Sequence, residues 1–252
     1  MSAGPETLVE QRAARTAELS GKLTGLLARI DAACRAAGRA PEAVRLLPVT
    51  KFFPASDVAI LHRLGRREFG ESREQEASAK VSALREQGLT GIQWHMIGRL
   101  QRNKARAVAR WAHTVHSVDS ERLATALDVG AQAALEAGER TAPVRVLLQV
   151  SLDDDPARGG VAAGDLAALA DHVATASGLC LSGLMAIPPL GVESDAAFAR
   201  LATLHTRLLA VHPDATELSA GMSGDLESAI EHGSTVVRVG TALMGMRPIT
   251  SA

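Results

Sequence analysis

Val44-Arg45-Leu46-Leu47-Pro48-Val49-Thr50-Lys51-Phe52-Phe53-Pro54-Ala55-Ser56 is the stretch from which the fold of this 252-residue chain is read. It opens with an apolar run of strand length, ends that run on Thr50 and Lys51, and reaches Ser56, a residue type that caps helices. A helical pattern follows through Leu64 and stops at Gly65. One strand and one helix therefore make the first unit.

The same alternation runs to the end of the chain. Short apolar segments fall around Glu68-Phe69 and over 94–97, 114–118, 144–150, 179–187, 217–222 and 236–243. Amphipathic stretches lie between them over 75–86, 103–111, 120–139, 163–176, 194–211 and 225–232. Ahead of the first strand, Leu8, Leu19, Leu23, Leu26, Leu27 and Ile30 recur at helical spacing, which predicts an extra amphipathic helix over 6–38. Strands alternating with helices imply right-handed crossovers and a parallel sheet, and eight repeats favour closure into an α/β (β/α)8 barrel of TIM type over 44–247. The expectation is one barrel domain over 1–252. An open doubly wound sheet is the alternative, but no glycine-rich G-x-G-x-x-G turn follows the first strand. Pro48 is awkward in a closed barrel, because it cannot donate to a neighbouring strand; a bulge or an unpaired position is expected there.

Composition excludes several classes. Hydrophobic residues make up 46% and charged residues 22%, as in a soluble globular chain rather than a disordered one. A net charge of −1 gives no global attraction to nucleic acid or an anionic membrane. No apolar run is long enough to span a bilayer, and the charged N-terminal stretch lacks the apolar core of a secretory signal. Cytoplasmic location is the expectation. Cys34 and Cys180 lack metal-ligand spacing and read as buried small hydrophobes. No grouping of His, Asp and Glu suggests a metal site.

In a barrel of this type the active site forms where the strands end. The polar strand-end residues are Thr50, Lys51, Glu71, Ser72, His95, His116, Ser117, Asp119, Gln149, Ser151, Ser219, Ser223, Arg238, Gly240 and Thr241. Lys51 is the only lysine among them; desolvated between the barrel mouth and Phe52-Phe53, it could act as an amine nucleophile, although by position alone a surface lysine is the simpler reading. Gly221-Met-Ser223-Gly-Asp precedes a helix with free N–H groups, and Arg238-Val-Gly240-Thr241 offers a second turn; either could hold phosphate. A phosphate anchor facing a lysine suits a phosphorylated aldehyde. Arg99, Arg102, Lys104, Arg106 and Arg110 are explained by a solvated helix face before nucleic acid, leaving at most a secondary phosphate contact. His95, beside Trp94, reads first as a packing histidine.

These residues resemble the pyridoxal 5′-phosphate (PLP) homeostasis proteins, relatives of the alanine racemase barrel domain. The likeness rests on Leu46-Leu-Pro-Val-Thr-Lys51, Phe69-Gly-Glu-Ser72, Trp94-His-Met-Ile-Gly98, Leu100-Gln-Arg-Asn-Lys104, Gly183-Leu-Met-Ala-Ile-Pro188, Leu218-Ser-Ala-Gly-Met-Ser223 and Val237-Arg-Val-Gly-Thr241, in order over about four-fifths of the chain. The resemblance implies fold type III of PLP proteins without a C-terminal β-domain. It also implies an internal aldimine on Lys51, phosphate held by Ser223 and Gly240-Thr241, Arg238 at the pyridine nitrogen, and Ser72 and His95 within the cofactor site. An arginine cannot accept the ring proton, so the cofactor would be a weak electron sink. The chain departs from the family pattern at Ser72, Ser151, Arg158-Gly-Gly160 and Gly224; Ser72 reaches less far than the usual asparagine.

Three functions stay open on sequence: a PLP carrier acting in PLP homeostasis and supplying apo-enzymes, a PLP-dependent racemase or decarboxylase of low activity, and an imine-forming aldolase without PLP. The chain has no tyrosine, which removes the second base of the alanine racemase route. The expected reading is a monomeric carrier without catalytic residues, with no nucleic-acid or membrane partner.

Overall fold

A computed structural model describes residues 5–153, 159–189, 191 and 193–247. Helix α1 (Pro5–Ala36) comes first, then β1 (Arg45–Pro48), α2 (Ala55–Arg63), β2 (Glu68–Glu71), α3 (Glu74–Glu86), β3 (Gln93–Met96) and α4 (Ala105–Ala109). The chain continues through β4 (Ala112–Val118), α5 (Glu121–Glu136), β5 (Val144–Gln149), α6 (Leu166–Ala174), β6 (Leu179–Met185) and α7 (Ser194–Val211). It ends with β7 (Glu217–Ser219), α8 (Leu226–Glu231), β8 (Val236–Val239) and α9 (Thr241–Met244). All eight strands are parallel, in the order β1-β8-β7-β6-β5-β4-β3-β2. This is the (β/α)8 barrel expected from the alternation, and it closes at a thin seam between β1 and β2, where a single bridge joins Val49 to Gly70.

Pro48 sits beside that seam, and its position explains why it is tolerated. Val49 N–H donates to Val239 O on β8, whereas Thr50 N–H donates to Gly70 O beside β2. Pro48 shares the parity of Thr50, so its missing N–H falls on the β2 side, one step before pairing begins. The expected unpaired position is real, and no bulge is needed.

Helix α1 belongs to the core. Leu19, Leu23, Leu26, Ile30 and Cys34 are buried along one face and cluster with Leu46, Leu61, Val237 and Leu243, on the side where β8, β1 and β2 meet. Each such buried leucine contributes about 1.5–3 kcal/mol. The helix stops at Gly38, whose φ of 67 lets its N–H reach Arg35 O while Arg39 N–H reaches Cys34 O, satisfying the last carbonyls. A second apolar cluster lies between β3–β7 and α4–α7.

Several boundaries differ from the sequence reading. The apolar run over 236–243 was expected to be one strand, but β8 ends at Val239 and the chain turns at Gly240 into α9. An apolar run of this length does not distinguish a strand from a strand followed by one helical turn. Strands β6 and β7 stop at Met185 and Ser219, short of 187 and 222. Cys180 is exposed rather than buried, since alternate residues of β6 face outward. Among the described residues no helix is long and apolar enough to cross a membrane.

Candidate functional site

The strand ends of β1, β2, β5 and β8, with the loops after β3 and β7, surround a cavity of about 490 Å³. Lys51 lines it, half-buried, three residues past the end of β1. Its ammonium makes no ion pair among the described residues and lies 5.8 Å from the centre of the Phe52 ring. Next to it, Phe52 adopts φ 70, a left-handed conformation that costs a bulky side chain about 1–3 kcal/mol.

A buried polar network holds that strained turn in place. Lys80 Nζ donates to Thr50 O at 2.7 Å, to Glu71 Oε1 at 2.7 Å and to Glu76 Oε1 at 2.8 Å. Thr50 Oγ1 donates to the same Glu71 oxygen, and the Phe52 N–H donates to Glu76 Oε1. The residues before and after Lys51 are thus fixed by one cation and two carboxylates. Burial pushes the Glu71 carboxyl above its ordinary range, while the Lys80 ammonium and the Thr50 hydroxyl pull against that shift. Sequence reasoning placed Glu71 at a strand end but missed Lys80 and Glu76, because a Glu and a Lys four apart on a helix look like an ordinary solvated pair.

Arg238, on β8, is the buried charge of the site. Its guanidinium donates to Ser219 Oγ at 2.7 Å and to Ala186 O at 2.9 Å, and it lines the cavity. Burial pulls it down to about 10, so it remains a cation at neutral pH. No carboxylate pairs with it among the described residues. Asp225 acts on it only at a distance, and a buried charge without a direct ion pair is costly, so this donor set suits a ligand that brings acceptors or negative charge.

Two turns supply further donors. Ser223 and Gly224 follow β7, and Gly240 and Thr241 follow β8; all four line the cavity. Their backbone N–H groups have no acceptor among the described residues, and Ala242 N–H donates to Ser223 Oγ at 3.4 Å. Helix α1 braces the Ser223 turn and the end of α9. Arg29 donates to Ser223 O at 2.8 Å while its other nitrogens grip Glu227, and Arg15 donates to Met244 O at 3.0 Å and to Asp57. Sequence reading found α1 but gave no sign that its arginines reach these segments.

Of the residues singled out from sequence, Lys51, Ser72, Ser223, Arg238, Gly240 and Thr241 line this one cavity. His95 does not. It is buried and, among the described residues, its hydrogen bonds lead to the cavity through His116, Ser219 and Arg238. Ser72 is held by a close approach: a Cβ on Gly98 would stand 2.2 Å from Ser72 O, so only glycine fits the end of Trp94-His-Met-Ile-Gly98. Gly98→Ala is expected to lower stability by about 1–3 kcal/mol through this backbone clash, read as a lower urea midpoint; an unchanged midpoint would show that the Ser72 loop yields freely. Gly224, one of the positions where the chain departs from the pattern it resembles, has open space where a Cβ would go, so a glycine there is not forced by crowding. Ser151 is buried and donates to Asp153, while Arg158 lies outside the described residues.

The basic stretch divides. Arg99, Arg102 and Lys104 line a wider cleft of about 1020 Å³ that shares Ser72 and Arg99 with the Lys51 cavity, whereas Arg110 pairs with Glu139 elsewhere. Chemically, the Lys51 cavity offers one amine, one buried cation and two N–H turns. Its described lining contains no Asp, Glu, His or Cys. That set can capture a carbonyl and hold an anion, and it lacks a partnering acid or base.

The family model for the N-terminal domain of alanine racemase matches residues 26–248. The chain is 54% identical over 247 residues to the pyridoxal phosphate homeostasis protein of Mycobacterium bovis, covering 94% of this chain and 96% of that one. It is 39% identical to the protein of the same name from Escherichia coli K12, covering 91% and 97%. Among solved structures, PipY of Synechococcus elongatus with PLP bound superposes with a TM-score of 0.76 at 36% identity, covering 90% of this chain and all of PipY.

Proposed function

We propose, from the premise that this chain belongs to the pyridoxal phosphate homeostasis protein family, whose barrel is that of the alanine racemase N-terminal domain, that it binds PLP reversibly in the Lys51 cavity. The observation that carries the reading is the joint geometry of a lysine and a buried arginine, neither in an ion pair among the described residues, on one cavity with two N–H turns. When bound, PLP supplies an aldehyde carbon that an amine can capture and release.

The chain's own groups have separable tasks. Lys51 Nζ is the amine, and the Lys80–Glu71–Glu76 network keeps its backbone from drifting. The turns at Ser223-Gly224 and Gly240-Thr241 would hold the phosphate with backbone N–H groups, close to where anion sites recur in this architecture. Arg238 would meet the ring nitrogen as a donor and could not receive its proton. Ser72 would contribute from the cavity wall, while His95 would act only through its buried neighbours. All these groups come from one chain, so one copy holds a complete site, in keeping with a monomeric protein. With no second acid or base in the described lining, the site is suited to storing PLP and passing it to apo-enzymes rather than to turning over amino acids.

The test is a PLP titration of the purified protein and of Lys51→Ala. The wild type is expected to develop a near-visible band that saturates at one equivalent and disappears on borohydride reduction, leaving PLP attached at Lys51 in a peptide digest. Lys51→Ala should lose the band and the attachment. A wild type whose spectrum with excess PLP is only that of free PLP added to the protein overturns the reading. For delivery, transfer from the loaded protein to an apo-transaminase should proceed without free PLP exceeding what a trapping dialysis allows; transfer no faster than release into buffer overturns the carrier role.

A further inference from the structure

Beneath Arg238, a line of buried polar groups runs down the inside of the barrel. Arg238 Nη1 lies 2.7 Å from Ser219 Oγ, Ser219 Oγ 3.0 Å from His116 Nδ1, and His116 Nε2 2.9 Å from His95 Nδ1. His95 Nε2 is buried with no partner. All four residues are buried, and neither histidine lines the cavity.

The chemistry of the first member orders the protons in the rest. Arginine only donates, so Ser219 Oγ is an acceptor there. Its own hydrogen has one available acceptor among the described residues, His116 Nδ1. His116 must then carry its proton on Nε2 and donate it to His95 Nδ1, which leaves the His95 proton on the orphaned Nε2. The reverse order would strand the Ser219 hydroxyl hydrogen and still leave a buried His95 nitrogen bare, at a cost of about 1–3 kcal/mol for the stranded group. Both rings are neutral in either order, since burial lowers both well below the ordinary imidazole value of 6.5.

We infer that His116, backed by His95, is a positioning residue that aims Arg238 into the cavity by holding the Ser219 hydroxyl as its acceptor. The arrangement takes the place of a carboxylate. A carboxylate beside Arg238 would neutralise it, whereas a row of neutral dipoles with acceptor ends toward the guanidinium stabilises its orientation and leaves its full charge for the ligand. The consequence for binding rests on the PLP reading of the cavity, but the proton order stands independently of it.

Two measurements test the inference. First, imidazole 15N spectra of the ligand-free protein should show His95 and His116 both as Nε2–H tautomers; an Nδ1–H form of either overturns the proton order without any reference to PLP. Second, PLP labelled with 15N in the ring is titrated into the wild type, His116→Phe, His116→Asn and Ser219→Ala. His116→Phe is expected to bind about tenfold more weakly and to shift the ring 15N resonance. Ser219→Ala should do the same with less disturbance of packing, which covers the case in which the larger replacement does not fold. His116→Asn, whose amide oxygen can accept from Ser219, should restore both readings toward the wild type. A folded His116→Phe or Ser219→Ala protein with wild-type affinity and an unmoved resonance overturns the inference. Wild-type protein that fails to bind PLP while showing both Nε2–H tautomers overturns the cavity assignment and, with it, the role of Arg238 toward the ligand, but leaves the proton order standing.

Discussion

Lys80→Met is expected to lower folding free energy by about 3–5 kcal/mol at neutral pH and to weaken retention of PLP together with it. Lys80 has a side chain 7% exposed, facing Glu71, which is fully buried, and Glu76. Methionine keeps most of the volume but leaves the Glu71 carboxylate buried beside no cation, with its Oε2 already unpartnered. It also frees Thr50 O and removes the clamp on the Glu76 oxygen that receives the Phe52 N–H. The Lys51 turn then loses the contacts that offset its left-handed residue. Urea denaturation measures the first effect and a near-visible PLP titration the second. The double variant Lys80→Met/Glu71→Gln should recover more than half of the lost stability, because the stranded charge is gone. A single variant costing under about 1 kcal/mol would show that the network is dispensable.

Acid should destabilise the protein well above the carboxylate range. His95, His113, His116 and His205 are all lowered from the ordinary imidazole value of 6.5, chiefly by burial. In the unfolded chain these rings take up protons near pH 6.5 while the folded protein refuses them. Stability is therefore at its plateau above pH 6.5 and falls as pH drops below that value, until the folded-state pKa of each ring is reached. Each refused proton is worth about 1.4 kcal/mol per pH unit, so His95 and His116 together give about 2.7 kcal/mol per unit once both are fully protonated in the unfolded state. Glu71, raised by burial, opposes this with at most one proton. Urea midpoints between pH 7.5 and 5.0 should be nearly level above pH 7 and steep below 6. Equal slopes on both sides would mean that the buried rings protonate freely in the folded protein.

The barrel was legible because its evidence is local. Val44-Arg-Leu-Leu-Pro-Val49 and its seven counterparts are short apolar runs between amphipathic stretches, and that alternation admits few folds. That Lys51, Ser223, Arg238, Gly240 and Thr241 line one cavity was legible for a related reason: they lie at or just past strand ends, and every strand of a parallel barrel delivers its C-terminal end to the same face. His95, expected within the site, does not line the cavity, whereas Arg238, equally one position before its strand's end, does. Nothing in Trp94-His95-Met96 distinguishes those two outcomes.

What the amino-acid sequence determined by itself is the periodicity of the strands and helices and the chemistry available at the strand ends, since both depend on neighbours in the chain. Only the tertiary structure decided that Pro48 falls on the side of the seam where no donor is needed, and that Lys80 leaves the helix surface to clamp the Lys51 turn. The same holds for Arg15 and Arg29, which brace segments more than 190 residues away, and for the two histidines that form a line with Ser219 under Arg238. These are contacts between residues far apart in sequence, and burial and hydrogen-bond partners exist only after the barrel has closed around them.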